Sequence, residues 1–115
     1  MEEADKRLRE AGMGTYITLV DYTEMGVRSI EGSPDRADAF VRAARDAGVE
    51  VREVYWTFGG HDGVLILEAP DDKSVSTLLL SLSRAGMVRT HTLRAYDRAE
   101  MKEILGRSKE ARAEP

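Results

Sequence analysis

Only two histidines occur in these 115 residues, and one stands beside a carboxylate in a glycine cluster, Gly59-Gly60-His61-Asp62-Gly63. Imidazole titrates near neutrality, so His61 next to Asp62 is the first place to look for general acid–base chemistry. In an extended strand adjacent side chains point to opposite faces, so these two form a pair only if the backbone turns there. A structural role competes: Asp beside glycine commonly braces a turn through backbone bonds, which would leave His61 an exposed loop residue. The second histidine, His91, lies in an alternating stretch on the same side as Arg89 and Leu93. Two histidines need Asp or Glu to complete a metal site, and no His-x-His or His-x-x-x-His spacing is present, so no metal is expected. No cofactor is expected either. Gly59-Gly60 is not followed by Lys-Ser/Thr and opens no helix, as a phosphate loop would require.

A second group of residues suits binding. Tyr16, Tyr22, Tyr55 and Trp56, with Thr18, Thr57, Thr90 and Thr92, offer apolar walls with sparse hydroxyls, the lining of a small organic-ligand site. Plain packing at an interface uses the same aromatic residues. Arg28 and Arg94 are candidates for a bidentate contact with an anion, although solvation is the commoner fate of a surface arginine. The candidate ligand-binding set is Tyr16, Thr18, Tyr22, Arg28, Trp56, Gly60, His61, Asp62, Thr90, Thr92 and Arg94, and no catalytic residue is assigned.

The elements that position these residues follow from periodicity and from turn chemistry. Tyr16–Tyr22 alternates as a strand, with Ile17 and Leu19 on one side and Tyr16, Thr18, Val20 and Tyr22 on the other. Thr23–Gly32 is ambiguous. Ser33-Pro34 then opens a helix, with serine as the N-cap, carrying Ala37, Phe40, Val41, Ala44 and Ala47 and stopping at Gly48. Val49–Phe58 and Gly63–Ala69 flank the glycine cluster as a hairpin, in which Val54, Trp56 and Phe58 oppose Val51, Tyr55 and Thr57. Pro70-Asp71-Asp72 offers an aspartate cap, and Val75, Leu78, Leu79 and Leu82 mark an amphipathic helix ending before Gly86. Met87–Tyr96 is the last strand. Asp97 and Glu100 form a capping box before the short apolar stripe Met101, Ile104 and Leu105. The expected organisation is an N-terminal extension over residues 1–13, one domain over 14–106 and a charged tail over 107–115. The order βαββαβ predicts a ferredoxin-like α+β fold: a four-stranded antiparallel sheet, two helices on one face, and a short C-terminal helix.

Composition bounds the function classes. The chain is 42% hydrophobic and 33% charged, as in soluble globular proteins, and no apolar run reaches the roughly 20 residues that cross a bilayer. Its start, Met1-Glu-Glu-Ala-Asp, is too acidic for a secretory signal, and it has no cysteine, so a cytoplasmic location is expected. A formal net charge of −4 argues against nucleic acid, whose binding needs basic patches. Two helices cover one sheet face only, and the strands leave neither face strongly charged. A second copy of the chain is therefore the expected partner for the open face, as a homodimer or higher homo-oligomer with a pocket at the subunit interface.

Several segments resemble the GYD-domain family, named for a Gly-Tyr-Asp motif: Tyr16–Gly26, Val27–Arg36, Val54–Asp62, Glu68–Asp72 and Val88–Ala95. The resemblance implies a ferredoxin-like fold of the dimeric α/β-barrel type and no established activity. The motif here reads Gly60-His61-Asp62, with imidazole in place of phenol; both can donate or accept a hydrogen bond. The first functional reading is a homo-oligomeric small-molecule binding or sensing module. The alternative is a cofactor-free monooxygenase- or isomerase-like enzyme using His61, Asp62 or Trp56, an inference from fold analogy alone.

Overall fold

The structure, a computed structural model, describes residues 12–113. Strand β1 (Gly14–Tyr22) leads into a short helix α1 (Glu24–Arg28) and a 3₁₀ turn (Ile30–Gly32), followed by helix α2 (Ser33–Asp46). The hairpin β2 (Glu50–Trp56) and β3 (Gly63–Ala69), helix α3 (Asp72–Arg84), strand β4 (Val88–Ala95) and helix α4 (Arg98–Ala113) complete the chain. Residues 1–11 of the expected N-terminal extension lie outside the described residues. The four strands form one antiparallel sheet in the order β2-β3-β1-β4, the ferredoxin-like arrangement. No helix among the described residues is long and apolar enough to cross a membrane.

Local signals set most boundaries. The Asp71 carboxylate accepts the Ser74 N–H at 2.8 Å, capping α3, and that bond holds its pKa below the usual range. The Asp97 side chain accepts from Glu100 N at 2.8 Å while Asp97 N donates to the Glu100 carboxylate at 3.1 Å, a reciprocal capping box. Gly48 and Gly86 follow α2 and α3 with φ of +82° and +81°, where a Cβ would be strained. The ambiguous segment after β1 resolves into α1 because the Thr23 hydroxyl accepts from Gly26 N and donates to Gly86 O.

The core lies between the helices and one sheet face. Tyr16, Leu65, Leu67 and Ala69 bury against Phe40 and Ala44 of α2 and Val75, Leu78 and Leu79 of α3. The helices therefore cover the Tyr16/Thr18/Val20/Tyr22 side of β1 and leave the Ile17/Leu19 side open.

Four details depart from simple alternation or capping. Arg52 is an extra residue in β2, and the register shift between Val51 and Glu53 turns Val51 onto the same core side as Val54, not opposite it. The strand ends at Trp56, so Phe58 sits in the connecting loop, 97% exposed. Ser33 does not cap α2. It is the first helical residue, buried, and its hydroxyl accepts from the Trp56 indole instead. Helix α4 also continues through most of the segment expected as a charged tail, to Ala113.

Candidate functional site

The open sheet face can be read row by row from the strand register. Ile17 lies between Leu93 and Ile66, with Glu53 beyond; Leu19 lies between His91 and Val64, with Tyr55 beyond. The two middle rows are therefore apolar apart from their edges. Ile17, Leu19, Val64 and Ile66 are half-buried, whereas Leu93 and Tyr55 on the two edge strands are 55% and 54% exposed.

Polar groups close both ends of this face. At one end Glu68 is 2% exposed: Thr15 Oγ1 donates to its carboxylate at 2.8 and 3.0 Å, and Arg52 Nη1 donates at 2.9 Å. A buried carboxylate persists only with such charge-assisted partners. The β2 bulge is what places Arg52 to supply one. At the other end both histidines converge on Asp21. His61 Nδ1 lies 3.0 Å from Asp21 Oδ1, His91 Nε2 lies 3.6 Å from Asp21 Oδ2, and the two rings are 6.1 Å apart. Among the described residues no group of three or more His, Asp or Glu is arranged to hold a metal ion.

His61 thus pairs with Asp21, not with its neighbour Asp62. The Asp62 side chain accepts the Tyr22 N–H at 2.8 Å, and its own N–H donates to Val20 O at 2.8 Å. Asp62 therefore fastens the hairpin loop to the end of β1, a brace between strands rather than within the turn. Within the loop, Thr57 N donates to Asp62 O and the Thr57 hydroxyl donates to His61 O.

The remaining candidates divide among separate places. Tyr22, Trp56 and Ser33 meet on the helix side, where the indole N–H donates to the Tyr22 hydroxyl at 3.0 Å and to Ser33 Oγ at 3.2 Å. Tyr16 and Arg94 lie at the opposite end of that side. Tyr16 donates to Asp72 at 2.5 Å, and burial followed by this bond to a carboxylate pushes its pKa up to about 12. The Arg94 guanidinium stacks between the Tyr16 and Tyr96 rings at 5.3 and 4.4 Å and lies 3.6 Å from Glu100. Thr18 is fully buried and shares a 2.9 Å hydrogen bond with Thr92, while Thr90 is half-buried opposite Val20. Arg28 is solvated and pairs with Glu24 one turn back. Gly60 stands free in the loop, with nothing near the position a Cβ would take.

A cavity of about 110 Å³ opens on the helix side, within one chain, where the start of α2 and the end of α3 overhang the sheet. It is lined by Tyr22, Trp56 and Asp62 together with apolar side chains of both helices and the sheet.

Comparison with known proteins rests on this sheet and its loops. The family model described as GYD domain matches residues 16–105, from β1 into α4. The chain belongs to the GYD domain family. A relative in Thermus thermophilus is 33% identical over 90 residues, which cover 77% of this chain and 95% of the relative. It is named glutamine synthetase and cystathionine beta-lyase binding protein. No solved structure matches this GYD protein.

Sequence reasoning missed Asp21, Arg52 and Glu68. Asp21 carried a signal: it is the one charged residue in the run Tyr16–Tyr22, on the face otherwise occupied by Ile17 and Leu19.

Proposed function

We propose that this GYD protein is a non-enzymatic binding module that docks on a metabolic enzyme through its open sheet face. The observation that supports this is the pair of apolar rows, Leu93–Ile17–Ile66 and Leu19–Val64–Tyr55, enclosed by polar groups that already have partners. Such a surface loses water readily at its centre and leaves few charges unpaired at its rim, the anatomy of a protein interface. The name of the Thermus relative points to glutamine synthetase and cystathionine beta-lyase as the enzymes to try first. Phe58, an almost fully exposed aromatic side chain in the loop between β2 and β3, is a ready anchor for such a partner.

The test is co-elution of the full chain with each of those two enzymes from its own source, beside the variants Leu93→Glu and Phe58→Ala. Both substituted side chains are exposed, so the fold survives and circular dichroism is unchanged. The expected result is a complex for the wild type that Leu93→Glu abolishes. Binding of neither enzyme, or binding indifferent to Leu93→Glu, would sink the reading.

Self-pairing is the second reading, and the exposure of Leu93 and Tyr55 on the two edge strands supports it: a two-fold axis through the face would bury both apolar rows against their own copies. That arrangement would create the pocket between subunits. Sedimentation at several concentrations distinguishes a dimer from a lone chain. The enzyme reading would rest on the His61–Asp21 pair as general base, with turnover lost in His61→Ala. The chain's lack of cysteine supports a reducing, cytoplasmic setting for each reading.

A further inference from the structure

The helix-side cavity is walled almost wholly by apolar side chains, among them Val20, Phe40, Val54, Leu65 and Leu82. Water gains little in such a space, because an ordered water needs about two to four polar partners. The two ionic residues of the lining, Arg36 and Asp62, are opposite in sign, so together they favour no net charge in a ligand. Arg36 Nη2 is closed off by burial, and the Asp62 carboxylate accepts the Tyr22 N–H. The remaining polar groups are hydroxyls. Tyr22 Oη and Ser33 Oγ accept from the Trp56 indole N–H at 3.0 and 3.2 Å, and neither donates to a partner among the described residues. Each hydroxyl therefore keeps its proton for an acceptor.

We infer that this cavity binds a small neutral ring bearing one carbonyl oxygen, a cyclic ketone or a lactone. The ring lies against Phe40, Val54 and Leu82, and the oxygen accepts from the Tyr22 or Ser33 hydroxyl. Size sets one bound. A closed apolar cavity of about 150 Å³ admits benzene, so about 110 Å³ with an open mouth takes a single ring of about five or six atoms. Charge sets the other. An ion entering here would give up its hydration to walls that return little of it. Apolar burial supplies the attraction, and the hydroxyls fix the orientation. The site is complete within one chain and needs no partner protein, so it stands apart from the docking reading.

Trp56 reports on the site directly, since it is the only tryptophan in the chain and its indole N–H is shared by both hydroxyls. The isotope-labelled full chain is titrated with cyclopentanone and, separately, with cyclopentanecarboxylate and cyclopentylammonium, following the indole N–H resonance. The expected result is a saturable shift with the ketone and affinities for both ions weaker by about tenfold or more. Tyr22→Phe combined with Ser33→Ala removes both donors and is expected to weaken ketone binding about threefold to tenfold. Ala37→Leu fills the cavity from α2 and abolishes the response. Ala85→Leu, at an exposed position in the lining, serves if that variant does not fold. Equal affinity for ketone and ions, a shift that does not saturate, or binding untouched by filling the cavity would overturn the assignment, as would unchanged ketone affinity in the doubly substituted chain.

Discussion

Asp21 and His61 meet at the rim of the open sheet face, Oδ1 to Nδ1 at 3.0 Å, although 40 residues separate them in the chain. The two side chains remain 33% and 40% exposed, so water screens the pair. A double-mutant cycle with Asp21→Asn and His61→Ala is therefore expected to give a coupling of only ~0.5 kcal/mol in chemical denaturation. A coupling of several kcal/mol would mean that the pair holds the loop to the sheet.

Glu68 belongs to the opposite regime. Its carboxylate is almost wholly buried between Thr15 and Arg52. Glu68→Ala removes the buried acceptor shared by Thr15 and Arg52 and is expected to cost about 1–3 kcal/mol of stability. Urea unfolding of Glu68→Ala beside Glu68→Gln measures it. A loss below that of an ordinary surface substitution would contradict the burial.

Tyr16 sets an alkaline limit. Its pKa in the folded chain is about 12, against an ordinary 10.0. Between those values the folded state keeps a proton that the unfolded state releases. The contribution is therefore complete below pH 10 and lost as pH rises toward 12, with a slope approaching ~1.4 kcal/mol per pH unit. Tyrosinate absorbance should show one late-titrating phenol, absent in Tyr16→Phe. Titration of all tyrosines near pH 10 in the folded state would refute it.

Gly26 tests the close approach of α1 to the α3–β4 connection. A Cβ placed there would lie 2.0 Å from the Met87 carbonyl oxygen, a backbone atom already accepting from Thr23 N. Gly26→Ala is expected to destabilise by about 1–3 kcal/mol, despite alanine's better helix propensity. Gly60→Ala, with open space around it, is the matched control and should change the melting temperature little.

Much of the fold was legible in local chemistry. The bounds of β3, the Asp71 cap and the Asp97–Glu100 box agree with expectation because each depends on residues within one turn or one strand. The stripe Val75, Leu78, Leu79 and Leu82 faces the core as its spacing implies, since a helix fixes which side chains share a side. Trp56, by contrast, drew Ser33 away from its expected cap. A hydroxyl has few bonds to give, and a tertiary donor occupied it.

What the sequence determined by itself is the order of elements, the antiparallel sheet and its family, because periodicity and turn chemistry act over a few residues. Tertiary structure alone decided which sheet face the helices cover, that Asp21 rather than Asp62 takes His61, that a bulge turns Val51 inward, and that the buried Arg36 Nη2 has no acceptor among the described residues. Each of these depends on strand register and helix placement, which bring together residues tens of positions apart. A shift of one residue in register would exchange the two faces of a strand and redraw every one of them.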